Sequence, residues 1–227
     1  SNLKDDGYTC IAMHPYYEAG WSRNLVYPHI GFDEMHFIDY FDQTKILREY
    51  ITDQELYDKI IKRYENRKNN EKLFFMGITM QNHGGYTETY DNFPENYYKV
   101  GRSYTDANQY LSLVHESDEA VKNLISYFSK VDDPVEIIFF GDHQPSLNSN
   151  FYPILNGKGL TGLTEDELEK LYTVPFFIWT NYDTPEETVD ITSLDYLSTM
   201  ALERAGIELP AYNKFLADMQ EVVPAIN

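Results

Sequence analysis

The chain has 227 residues and carries 37 Asp plus Glu against 18 Lys plus Arg, a formal charge of −19. Its length suits one domain that buries roughly 70–75% of its unfolded surface, and its 42% hydrophobic and 24% charged content sets aside a disordered chain. So acidic a protein repels phosphate polymers, which argues against nucleic acid as a partner; a smaller phosphate-bearing substrate would need a cation or clustered arginines inside its site.

Cys10 is the single cysteine, so no intrachain disulfide can form and the compartment stays open. No run approaches the roughly 18 apolar residues of a membrane span, and the chain is expected to be soluble as given. Twenty Tyr and thirteen Phe supply flat apolar bodies, many with a polar tip, a composition that suits a carbohydrate or polyol ligand.

In chain order, Tyr8 to Met13 reads as a buried strand, apolar and bounded by polar residues. Asp53 to Arg67 follows as a helix with Asp53 as N-cap and Leu56, Ile60 and Ile61 at helical spacing. Leu73 to Met80 is the next buried strand. Tyr104 to Phe128 is a long helix with Leu111, Val114, Val121, Leu124, Ile125 and Phe128 on one stripe. Val135 to Phe140 and Val174 to Trp179 are further apolar strands, and Ser193 to Ala205 and Tyr212 to Val223 are helices parted by the breaker stretch 206–210. Strands alternating with helices predict an α/β fold whose sheet is mainly parallel and flanked by helices. No repeat or linker divides it, so residues 1–227 are expected to form a single domain.

Three segments carry chemistry. After the strand ending at Phe140 come Gly141, Asp142 and His143; ligands bind at the carboxyl ends of strands in such sheets, and a carboxylate beside an imidazole suits Mn or Zn. Taken alone, the pair would as readily cap a turn and pack. The strand ending at Met80 runs into Gln81, Asn82, His83, Gly84 and Gly85, where glycines admit a ligand close to the backbone and His83 can donate to a phosphate or sulfate oxygen. A tight turn with a structural histidine is the alternative. Trp21 and Arg23 offer a stacking face and a planar fork, or else a core tryptophan and a surface ion pair. His115 to Asp118 falls on a helix and reads as its polar face, and His29 and His36 are assigned no role.

Together these segments resemble the sulfatase-like phosphoglycerol transferases, of the lipoteichoic acid synthase type, within the alkaline phosphatase superfamily. The matching stretches are residues 7–37, 74–86, the helix 104–128, 137–147, 174–183 and 193–227, in the family's order. The resemblance implies that Asp142 and His143 bind one divalent metal ion, Mn in the first place, with Mg or Zn as alternatives. It implies that His83 contacts the substrate phosphate and that Trp21 and Arg23 bind the glycerol phosphate head group. Gly84 and Gly85 depart from the Pro or Phe usual in the family's turn.

The family's Thr nucleophile and Glu metal ligand precede the segment that begins here at Gly7, and neither Thr9 nor Thr79 matches the nucleophile. The resemblance therefore implies the C-terminal part of the fold, truncated on the N-terminal side and inactive alone. It implies a phosphoglycerol lipid, or another phosphate or sulfate ester, as substrate. It also implies a parent anchored in the bacterial membrane by the missing N-terminal region and working on its extracytoplasmic face. A sulfatase or phosphodiesterase, and a non-catalytic module holding a glycan or teichoic polymer, are the competing readings.

Overall fold

The computed structural model describes residues 2–93 and 104–225. The chain forms two compact units, Ser1–Tyr127 with His143–Thr173 and Phe128–Asp142 with Val174–Asn227. Because it passes between them three times, no linker marks the division in the sequence.

The first unit contains α1 (Asn2–Asp5), β1 (Tyr8–Met13), α2 (Arg23–Ile30), β2 (Glu34–His36), β3 (Ile46–Leu47), β4 (Tyr50–Ile51), α3 (Asp53–Glu65), β5 (Lys72–Gly77), α4 (Thr105–Phe128), α5 (Tyr152–Asn156) and α6 (Glu165–Glu169). β1 is the middle strand of a parallel sheet in the order β2-β1-β5, with Tyr8 opposite Lys72 and Met13 opposite both His36 and Gly77. Parallel pairing brings His14, Phe37 and Ile78 out at one sheet edge, where His14 N donates to His36 O and Ile78 N to Met13 O, both across 2.9 Å. Cys10 to Met13 are buried, as a near-continuous apolar run requires.

α3 begins one residue earlier than the sequence suggests. Thr52, not Asp53, is its N-cap, accepting from Glu55 N, because the Asp53 carboxylate turns inward. Its buried stripe of Leu56, Tyr57 and Ile60 meets β5 at Gly77, where a Cβ would stand 3.4 Å from both Leu56 and Ile60 side chains. Along α4 the inner face is also shifted from the expected stripe. Ala107, Leu113, Ala120, Val121, Leu124 and Phe128 are buried, whereas Val114 is exposed, since the helix turns Gln109, Ser112 and Ser117 inward as well.

In the second unit β6 (Glu136–Phe140) and β7 (Phe176–Thr180) pair antiparallel, with Phe140 opposite Phe176 and the Phe139 and Phe177 rings stacked at 5.4 Å. The parallel arrangement expected of the sheet thus holds for β2-β1-β5 and not for this pair; the long connection 141–175 permits either direction. Asn181 ties the pair to what precedes it, donating to the carbonyls of Phe128, Val131 and Asp133 and accepting from Val135 N. α7 (Leu194–Arg204) and α8 (Ala211–Val222) pack around the wholly buried Tyr196, whose hydroxyl donates to Val223 O across 2.8 Å. The apolar runs 73–80, 135–140 and 174–179 do not give fully buried strands. β5, β6 and β7 are half-buried, with Met76 and Phe140 exposed.

Candidate functional site

At the carboxyl end of β1 the chain turns through two consecutive left-handed residues, Trp21 at φ 53° and Ser22 at φ 55°. Each costs a non-glycine residue about 1–2 kcal/mol, and the arrangement is held by Arg23. Its guanidinium lies 4.4 Å from the centre of the Trp21 ring, Nε donates to Tyr27 Oη across 2.9 Å, and Nη1 reaches Gly20 O. Trp21 is 64% exposed, so the reading in which it fills the core fails. An indole face and a cation are displayed together, a combination that can hold a polyol and an anion.

Beneath them lies His14, 1% exposed, which the sequence did not single out. Nδ1 is 3.0 Å from Ile78 O, and a carbonyl can only accept, so Nδ1 carries the hydrogen and Nε2 is an acceptor. Burial drives its pKa down to about 4, keeping the ring neutral. Nε2 is buried with no partner among the described residues, and the ring lies 6.3 Å from that of Trp21 and 5.9 Å from that of Tyr16.

His83 follows β5, the parallel neighbour of β1, and so emerges at the same sheet edge. It is exposed on a turn secured from below. Gln81, 2% exposed, donates to Ser117 Oγ and accepts from Asp53 N; Asn82 donates to Ser117 Oγ; and Tyr86 Oη donates to Asn82 O. Arg48, buried and at φ 55°, sends Nη2 to the carbonyls of Gln81 and His83, both at 2.8 Å, and Nη1 to Gln109 Oε1 and Gly85 O. The left-handed Gly85, at φ 97°, lets the chain fold back over that fork. Tyr50 Oη meets His83 Nδ1 at 3.1 Å. Tyr16, whose ring is 6.0 Å from Trp21, is among the groups that raise the Tyr50 pKa, after burial and Glu49. The Trp21 and His83 clusters both follow neighbouring parallel strands, β1 and β5, on the same side of the sheet. Arg48 and Tyr50 escaped sequence reading because their partners lie more than thirty residues away.

Asp142 ends its segment of the second unit and His143 opens a segment of the first; both are exposed, and His143 Nδ1 is 3.0 Å from Gln144 O. Their oxygen and nitrogen donors match a borderline divalent ion, but two donors fall short of a closed site. No group of three or more His, Cys, Asp or Glu able to hold a metal occurs among the described residues.

Residues 1–207 match the family model for sulfatases. The chain belongs to the sulfatase family. Over 96% of its length it is 27% identical to a putative cyclic β-1,2-glucan modification protein of Rhizobium meliloti, and over 62% it is 29% identical to the lipoteichoic acid synthase of Staphylococcus saprophyticus. It spans 35% and 22% of those two proteins. The solved Streptococcus pyogenes phosphoglycerol transferase GacH, in complex with sn-glycerol-1-phosphate, matches this sulfatase-family chain with a TM-score of 0.75 at 21% identity, covering 96% of it and 55% of GacH. That likeness establishes a shared fold. No described helix is long and apolar enough to cross a membrane.

Proposed function

We propose that this sulfatase-family chain is the head-group-binding part of a phosphoglycerol transferase working on a cell-envelope polymer. The observation that carries the reading is Arg23 clamped over Trp21 at 4.4 Å in a strained turn beside the His83 edge. Strain of that kind persists where the surroundings enforce it, and such places cluster at ligand sites. In this reading Trp21 lies against the glycerol unit, and Arg23 and His83 donate to the phosphate oxygens. Asp142 and His143 contribute two ligands to one divalent ion, Mn above Mg or Zn. The other ligands and the nucleophile come from a part of the protein outside these residues, consistent with a span of 35% or less of the two curated relatives.

A bound divalent ion would supply charge neutralisation at the transferring group. This chain's own residues bind and orient the head group, and the 227 residues alone have no turnover. The parent is tethered to the membrane and acts on the extracytoplasmic face.

Calorimetric titration of the chain with sn-glycerol-1-phosphate and with glycerol tests the reading. Binding of the phosphate ester in preference to glycerol is expected, weakened at least about tenfold by Arg23→Ala, the loss of one charge-assisted contact. Equal binding of both ligands, or an Arg23→Ala variant that binds as the parent does, would count against it. Hydrolysis of a small sulfate ester by the whole protein, without transfer to an acceptor hydroxyl, would instead make it a sulfatase.

A further inference from the structure

The hairpin formed by β3 and β4 is very short, with only Arg48 and Glu49 between its strands, yet Arg48 and Tyr50 both reach the turn that carries His83. Arg48 is 5% exposed and pairs with no carboxylate among the described residues. Its charge is met by three main-chain carbonyls, the Gln109 amide and the faces of Tyr86 and Tyr50 at 5.4 and 5.9 Å. A buried cation held this way fixes the main chain at Gln81, His83 and Gly85 and adds positive potential beneath it. Two residues further on, Tyr50 Oη stands 3.1 Å from His83 Nδ1 with the rings tilted at 5.4 Å.

That contact has two possible senses, and the surroundings favour one. The Tyr50 hydroxyl has no other acceptor among the described residues, and a phenol with its proton is the stronger donor of the pair. If it donates to Nδ1, the hydrogen of the neutral imidazole resides on Nε2. Nε2 has no partner among the described residues, and the side chain is exposed.

We propose that Tyr50 is a positioning residue for His83, holding the ring as the Nε2–H tautomer so that it presents a donor to an anionic oxygen, while Arg48 fixes the turn that carries it. The role of the donor rests on the proposed phosphoglycerol site; the tautomer does not. A ring of the opposite tautomer would turn a lone pair toward the phosphate and repel it, so the Tyr50 hydroxyl governs whether His83 binds or excludes an anion.

Nitrogen-15 spectra of histidine-labelled chain, taken above the histidine titration range, report the tautomer directly. The parent is expected to show His83 as Nε2–H, and Tyr50→Phe, which keeps the ring and removes only the hydroxyl, is expected to lower the Nε2–H to Nδ1–H ratio roughly 3- to 10-fold, the equivalent of one hydrogen bond. An unchanged ratio in Tyr50→Phe, or a parent with hydrogen on Nδ1, overturns the proposal. Titration of the same samples with sn-glycerol-1-phosphate separates the two ideas. A shift of His83 Nε2 that weakens in Tyr50→Phe supports both, whereas the expected tautomers with no response of His83 to the ligand would sink the anion site and leave the positioning role intact.

Discussion

Asp53 and Ser117 join α3 to α4 through a hydrogen bond of 2.5 Å from Ser117 Oγ to Asp53 Oδ2. The carboxylate is 3% exposed, and its Oδ1 meets no hydrogen-bond donor in good geometry among the described residues. Burial pushes its pKa from the ordinary 3.8 up to about 6, against the opposing pull of Ser117, the Gln81 contact and Thr79. A raised folded-state pKa means that native stability is undiminished below about pH 4 and is lost as pH rises through 6. At about 1.4 kcal/mol per pH unit the swing is bounded near 3 kcal/mol. Asp53→Asn removes the titration, so the difference in unfolding free energy, variant minus parent, is expected to grow by up to that amount between pH 4 and 7. Urea melts at several pH values check this, and a flat difference would refute it. Glu136, raised to about 7 mainly by burial, and His14, lowered to about 4, titrate in both proteins and cancel in the difference.

Much of this was legible in residue pattern. The apolar run at β1 and the extents of α3 and α4 follow from local period, whereas the cap of α3 falls on Thr52 instead of Asp53 because the Asp53 carboxylate is drawn inward by Ser117 of α4. The candidate site could be read only as a set of loops that follow strands. Trp21, Arg23 and His83 stand out as residue types after strand ends, but the left-handed turn that exposes Trp21 is imposed by Arg23, Tyr27 and Gly20 together. The fork of Arg48 depends on carbonyls 33 to 37 residues away and on Gln109. The direction of β7 was illegible for the same reason, since nothing local to it selects between parallel and antiparallel pairing.

Arg48→Met should be among the more damaging changes in the first unit. It removes the donor held 2.8 Å from the buried Gln81 carbonyl and the part-buried His83 carbonyl, a loss on the order of 3 kcal/mol. The denaturant midpoint measures it. A variant within about 0.5 kcal/mol of the parent would mean that water replaces the guanidinium at no cost.

Ser22→Gly should act in the opposite sense. Ser22 holds φ 55° and makes no side-chain cap bond, so glycine relieves about 1–2 kcal/mol of left-handed strain while gaining unfolded-state entropy of roughly 0.5–1 kcal/mol. The net expectation is a gain of about 0.5 kcal/mol in thermal or urea unfolding. A loss of stability would show that Ser22 is not strained in solution.

Metal binding by the 227-residue chain should be weak. Asp142 and His143 supply two donors, neither is buried, and stable divalent sites close with three or four ligands braced by outer hydrogen bonds. Every ligand omitted leaves the ion holding another water, and only donors already arranged around it overcome the cost of removing that hydration. Isothermal titration with Mn²⁺ is therefore expected to give no binding tighter than roughly millimolar, a level at which the free energy is only about 4 kcal/mol. Asp142→Ala should leave so weak an isotherm nearly unchanged. In the longer parent protein, by contrast, the same substitution should release the ion and abolish transfer. Micromolar Mn²⁺ binding by residues 1–227, lost in Asp142→Ala, would show that this chain closes a metal site by itself and that the remaining ligands were wrongly sought outside it.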